Sequence, residues 1–338
     1  MGEPDSTMNF FAKPQRLVKI GSRRRMNIWR SGQGSPTVVL APGFMAVTAD
    51  WARVQPALAR TTQVVSYDHA GQGFSDPGPL PRNPARTAAD LKAALVRDGI
   101  EPPYALVGLS MGSFEVRHFA HQHSGEVVGM VLVDPSFDDM AARLLKATSS
   151  DQVWIERQFA HLNRCEAAAS AGDLRPGTAA YAACVFQPRP DLPEALNKAY
   201  HDMSLRASYW RSLASEFSAA AHDKADWSLG DMPLIILSAG DRERPPLPPE
   251  EVEAIQRVYA DAHELLAALS SRGACRVVPE SKHAIQWDRP QAVIDAVLDV
   301  IATAGGDLAS FCGGDQQGPG PLGNRPESIA VFYPQVSV

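Results

Sequence analysis

The chain is expected to adopt an α/β fold, with a mostly parallel central sheet flanked by helices and an inserted helical cap. Three observations lead there. Short runs rich in Val, Ile and Leu alternate with stretches of helical spacing. The runs are apolar at nearly every position, as strands buried on both faces of a parallel sheet require. Between residues 137 and 231 the alternation stops, and only helix-like spacing rich in Ala, Arg, Trp and Tyr remains.

Taken in order, RLVKIGSRRRMNIWR (Arg16 to Arg30) reads as two short strands about a turn at Gly21. TVVL (Thr37 to Leu40) follows as a buried strand after the SGQGSP loop. Beyond APGFMAVTADW, Val54, Ala57 and Leu58 mark a helix, and QVVSY (Gln63 to Tyr67) a strand that runs into the polar, glycine-rich loop DHAGQGFSD. Arg86 to Val96 is helical, with Ala89, Leu91, Ala94, Leu95 and Val96 on its apolar side. Tyr104 to Leu109 is the next strand, Met111 to His123 the helix after it, and VVGMVLV (Val127 to Val133) a strand ending at Asp134. After the helical segment the sheet resumes with LIILSAG. A helix from Glu250 to Leu269, a strand from Cys275 to Val278 and a proline-initiated helix from Pro290 to Ile301 complete the pattern. Strands and helices alternating in this way form right-handed βαβ units. The expected division is a core of 1–136 and 232–304, a helical cap of 137–231 and a loosely ordered tail of 305–338, where Gly, Pro, Gln and Ser dominate.

With 338 residues, 45% of them hydrophobic and 21% charged, the chain can bury a full core. A net charge of -6 offers no electrostatic footprint for nucleic acid or an anionic membrane. The N-terminal sequence lacks the basic, apolar and small-residue pattern of a signal peptide, and no run of about 18 apolar residues occurs, so a cytoplasmic protein without membrane insertion is expected. The four cysteines, Cys165, Cys184, Cys275 and Cys312, have no zinc-ligand spacing and read as free thiols. The alternative is a Cys165–Cys184 disulfide closing a loop of about 20 residues. His118, His121 and His123 share one helix without an acidic ligand at matching spacing, so no metal site is expected.

The most informative motif is GLSMG, from Gly108 to Gly112 and centred on Ser110. A strand that turns abruptly into a helix leaves no room for side chains at the flanking positions and presents the serine hydroxyl at the apex. A serine hydroxyl is a weak nucleophile until a base takes its proton, and a third group must orient that base. Of the nine histidines, His283 sits in the loop between the last strand and the last helix, at the same edge of the sheet as Ser110. The acid is open between Asp241, after the LIIL strand and placed first, Asp134 at the end of the preceding strand, and Glu243 in the same loop as Asp241. Asp68 and Ser75, in the DHAGQGFSD loop, read as turn-forming groups.

SPTVVLAPGF, YDHAGQGFSDPG, PYALVGLSMG, GMVLVDPS, DMPLIILSAG and VVPESKHAIQWDRP together resemble the α/β-hydrolase superfamily of the bacterial fold-1 type, over roughly Leu17 to Ile301. The resemblance implies a serine hydrolase acting on a carboxylic ester of a small substrate, with no cofactor, and an oxyanion hole formed by the amides of Phe44 and Met111. Lactone, amide or carbon–carbon bond hydrolysis on the same triad is the alternative, as is a low-turnover ligand-binding protein of the same fold. Two departures stand out: the first loop reads Ala41-Pro42-Gly43-Phe44 where His-Gly is common, and Leu109 precedes the serine where His is common. Leu109 is therefore expected to give the pocket an apolar floor. Tyr209 and Trp210, with Trp154, Phe159, Tyr181 and Phe186, are expected either to line the acyl or alcohol pocket or to pack the cap. The oligomeric state is left open by these residues.

Overall fold

Neighbouring residues along the central strands bury their side chains on opposite faces of one sheet. A computed structural model describes residues 6–148, 150–220, 223–241 and 248–305. Its eight strands are β1 (Arg16–Lys19), β2 (Arg25–Ser31), β3 (Thr37–Ala41), β4 (Val64–Tyr67), β5 (Tyr104–Leu109), β6 (Val127–Val133), β7 (Leu234–Ala239) and β8 (Gly273–Val278). They lie in the order β1-β2-β4-β3-β5-β6-β7-β8. The β1/β2 and β2/β4 pairs are antiparallel and all later pairs parallel.

The helices cover both faces. On one side α2 (Pro84–Arg97), α3 (Gly112–Gln122) and α9 (Pro249–Ala267) pack on Val39, Leu106, Met130, Leu132 and Ile236. On the other, α1 (Gln55–Leu58) and α11 (Pro290–Thr303) pack on Val38, Leu40, Val107, Val131 and Leu237. Between β6 and β7 the chain makes α4 (Met140–Ala147), α5 (Ser150–Ala171), α6 (Ala179–Cys184), α7 (Glu194–Ser204) and α8 (Ala207–Ala220), and α10 (Ile285–Asp288) precedes α11.

This insert has its own apolar cluster, which includes Leu162, Leu196, Tyr209, Trp210 and Leu213 and runs without a break into Phe44, Met45 and Trp287 of the sheet-bearing part. Contrary to the free-thiol expectation, Cys165 on α5 and Cys184 at the end of α6 form a disulfide. The two helices are in contact, which a sequence separation of 19 does not reveal. Cys275 is a free thiol. Glu243, Cys312 and the tail beyond Gly305 lie outside the described residues. No helix among the described residues is long and apolar enough to cross a membrane.

Candidate active site at the carboxyl edge of the sheet

Residues Leu109 and Val133 pair across β5 and β6, and the chain leaves both strands at the next residue. Ser110 (φ 49°) and Asp134 (φ 39°) both take the left-handed conformation that side chains other than glycine rarely adopt. The Ser110 amide donates to Val133 O at 2.9 Å, and the Asp134 amide donates to Leu237 O at 2.7 Å, so the sheet ladder continues through the turns. The glycines of GLSMG meet the steric demand read from the motif. A methyl group on Gly108 would lie 2.7 Å from Val116 Cγ2, and one on Gly112 would lie 2.5 Å from Pro42 O.

Opposite the serine, the loop after β3 passes close overhead. A methyl group on Gly43 would stand 3.2 Å from Ser110 Cβ. Phe44 in this loop and Met111 just before α3 line the same small cavity, and neither amide donates a hydrogen bond to a described residue. Unengaged N–H groups close to a serine can receive a developing oxyanion. The Phe44 ring lies 5.4 Å from that of Phe217, which in turn lies 4.8 Å from Phe159, so the buried Phe44 ring is continuous with two partly exposed aromatic rings. Phe217 was not singled out from the sequence, where it is one apolar position among many on α8.

His283 follows β8, and its loop is held by Lys282 N–H donating to Asp288 Oδ2 at 2.7 Å and by Ser281 Oγ donating to Val278 O at 2.7 Å. Its Nδ1 stands 2.6 Å from Asp134 Oδ2. The other carboxylate oxygen, Oδ1, accepts the Ala239 amide at 3.0 Å. Asp134 is fully buried, while the His283 side chain is 27% exposed. Asp241, placed first for the acid from its position after β7, is not the carboxylate paired with His283. It is exposed, and its amide donates to Ser281 O at 2.9 Å, so it serves the histidine's loop through its backbone. The Gly240 amide bonds to Val278 O and prolongs the β7/β8 ladder, which carries Asp241 outward. Ser110 Oγ makes no hydrogen bond with a described residue; nucleophile–base bonds commonly tighten only when substrate is present.

The remaining expected pocket residues are placed differently. Tyr209 and Trp210 are 0% and 1% exposed and pack inside the insert, with Trp210 Nε1 donating to Ser204 O at 2.7 Å. Burial pushes the Tyr209 hydroxyl pKa up, which keeps it neutral. Of the two roles the sequence left open for them, packing is the one their burial fits. Leu109, the last residue of β5, is buried in the apolar cluster on the sheet face covered by α1 and α11. A small cavity beside the two amides is lined instead by Gly43, Phe44, His69, Met111, Glu115 and Glu216, among others. His69 Nε2 stands 2.7 Å from Glu115 Oε2 on α3, and Nδ1 stands 3.6 Å from Glu216 Oε2 on α8. Burial opposes charge on this imidazole, but the two carboxylates outweigh it and raise its pKa to about 10. This triad of charges spans three separate segments and carries no local sequence signal.

Asp68 holds the loop after β4: it accepts from the Thr48 amide (2.9 Å), the Phe74 amide (2.9 Å) and Asn27 Nδ2 (2.8 Å). His118 pairs with Asp223 and meets Trp227 edge-on, while His121 stacks on the same indole, so both rings are held in side-chain packing. No group of His, Cys, Asp and Glu arranged to hold a metal occurs among the described residues.

Comparison with known proteins agrees with the architecture. The family model for the alpha/beta hydrolase fold matches residues 36–242. The uncharacterized protein YqjL of Bacillus subtilis is 23% identical over 278 residues, which span 81% of this chain and 87% of that protein. A thermophilic esterase from Thermogutta terrifontis superposes with a TM-score of 0.58 at 17% identity, over 86% of this chain and 99% of the esterase. The epoxide hydrolase CorEH superposes with a TM-score of 0.60 at 18% identity, over 86% of this chain and 98% of that enzyme. An esterase and an epoxide hydrolase sharing the fold equally well show that the fold does not select the reaction.

Proposed function

This chain belongs to the alpha/beta hydrolase fold family, and on that premise we propose that it is a serine hydrolase cleaving a carboxylic ester of a small, apolar substrate. The observation that carries the reading is the His283–Asp134 pair at 2.6 Å, on the same sheet edge as the strained Ser110. Ser110 Oγ attacks the ester carbonyl as His283 Nε2 takes its proton. Asp134 holds the imidazole through Nδ1–H and stabilises the imidazolium that forms. The carbonyl oxygen, now negative, is received by the amides of Phe44 and Met111, and each such donor is worth about 3–4 kcal/mol in the transition state. His283 returns the proton to the departing alcohol, and water, activated by the same histidine, releases the acyl group from Ser110.

Serine at the apex disfavours the aspartate-nucleophile chemistry used by other members of this fold. The rings of Phe44, Phe159 and Phe217 support an apolar acyl side. A fluorophosphonate probe should label the protein, and Ser110→Ala should abolish both labelling and turnover of a small activated ester. Labelling that survives the substitution, or a folded wild type that does not label, would reject the reading. A panel of esters, lactones and amides then ranks the substrate classes, and preference for a lactone or amide would replace the ester assignment while leaving the triad in place.

A further inference from the structure

We propose that His263 is a positioning residue for Asp134, a role that rests on the hydrolase reading above. The helix α9 turns an apolar face to the sheet through Ile255, Ala262, Leu266 and Ala267, and in that face His263 is 0% exposed. A histidine so placed needs partners for both ring nitrogens. Nε2 stands 3.0 Å from Pro135 O, and Nδ1 stands 2.9 Å from Ser238 Oγ. A carbonyl only accepts, so Nε2 carries a proton, and a neutral ring can accept the Ser238 hydroxyl proton at Nδ1.

The two contacts fall on the two segments that fix the carboxylate. Pro135 is the residue after Asp134, at the end of β6. Ser238 is the residue before Ala239, whose amide donates to Asp134 Oδ1 at 3.0 Å. One imidazole therefore ties the strand end that bears the acid to the neighbouring strand end that aims it. Asp134 needs such a constraint because its φ of 39° is a conformation that relaxes unless the surroundings impose it. The ring of His263 is itself held edge-on by Tyr259 at 5.7 Å and Phe137 at 6.2 Å. Its geometry acts on Asp134, and through Asp134 on His283; it contacts neither Ser110 nor His283 in the hydrogen bonds described.

The test compares wild type, His263→Ala, His263→Gln and Ser238→Ala for fluorophosphonate labelling, for kcat and KM on an activated ester across pH, and for thermal midpoint. Glutamine retains an N–H for Pro135 O and an oxygen for the Ser238 hydroxyl. For His263→Ala the expected result is a fall in kcat of about 100-fold, the cost of a small misplacement of reacting groups. KM should change little, the acidic limb of the kcat/KM profile should move, and the downfield Nδ1–H proton resonance of His283 should weaken. His263→Gln should recover most of the rate, and Ser238→Ala should lose part of it with the same shift of profile. Should His263→Ala fail to fold, the glutamine and Ser238 variants decide by these same readouts. Variants that label and turn over like wild type, or a rate loss that follows the thermal midpoint with an unmoved pH profile, would overturn the positioning role alone. A wild type that does not label fails the hydrolase reading, and the positioning role falls with it.

Discussion

Ser110 and Asp134 leave adjacent parallel strands at the same level, each with a positive φ that costs on the order of 1–3 kcal/mol. The shared ladder pins both, since each amide still bonds to the next strand. Both side chains thus leave the sheet at one edge, where His283 meets Asp134. Asparagine at Asp134 keeps the shape but presents an N–H or a neutral oxygen to His283 Nδ1, which favours the wrong tautomer. Asp134→Asn should therefore lower kcat by about 10⁴-fold without loss of fold, while Asp241→Asn should leave kcat nearly unchanged. The comparison is read from ester turnover together with circular dichroism, and the reverse ranking would move the acid back to Asp241. GLSMG and His283 were legible in the sequence because the elbow's glycines answer a local steric demand and the histidine follows a recognisable strand. The acid was not, because Ser110, Asp134 and His283 keep the same chain order as Ser110, Asp241 and His283. Only the outward path of Gly240 and Asp241 separates the two.

At the scale of elements, β6 is found at the residues its apolar run predicts, and α9 and α11 lie within a few residues of their expected limits. Unbroken runs and three-to-four spacings suffice there, since burial on a sheet face or a helix face follows from side-chain period. How α8 meets the rest is a different matter. It docks on the loop after β4 through Arg82 N–H to Ser215 Oγ (2.8 Å), Gln72 Nε2 to Glu216 Oε2 (2.7 Å) and the His69–Glu216 contact. A charged His69 between Glu115 and Glu216 binds α8 to α3. Its folded pKa of about 10 exceeds the unfolded value of 6.5, so its stabilisation is full below pH 6.5 and is lost as pH rises through about 10. Asp50 titrates in a lower window: burial raises its pKa to about 6, so its contribution declines between about pH 4 and 6. Between about pH 7 and pH 10 the thermal midpoint of wild type should fall several degrees further than that of His69→Gln, given about 2–4 °C per kcal/mol. Parallel declines would assign the titration to other groups.

Across the whole molecule, the insert and the sheet share one apolar cluster, so the loop that bears the Phe44 amide is packed from above by the insert. The Cys165–Cys184 disulfide staples α5 to α6 within that insert and closes a loop with a sequence separation of 19. Such a loop constrains the unfolded chain by about 3 kcal/mol. Reduction, or Cys165→Ser, should lower the thermal midpoint and loosen the insert first, seen as earlier proteolysis of α5 to α6 than of the sheet. Unchanged stability on reduction, with no gain in titratable thiols, would mean that the bond is not formed in solution. The sequence by itself determined the alternating elements, the strand-turn-helix at Ser110 and the place of His283, because these depend on side-chain period and on contacts between chain neighbours. Tertiary structure alone decided that Asp134 rather than Asp241 meets His283, that Tyr209 and Trp210 are packed inward, and that two cysteines join. Each of these is a meeting of residues far apart in the chain, 149 positions for Asp134 and His283, and sheet order and helix docking set it.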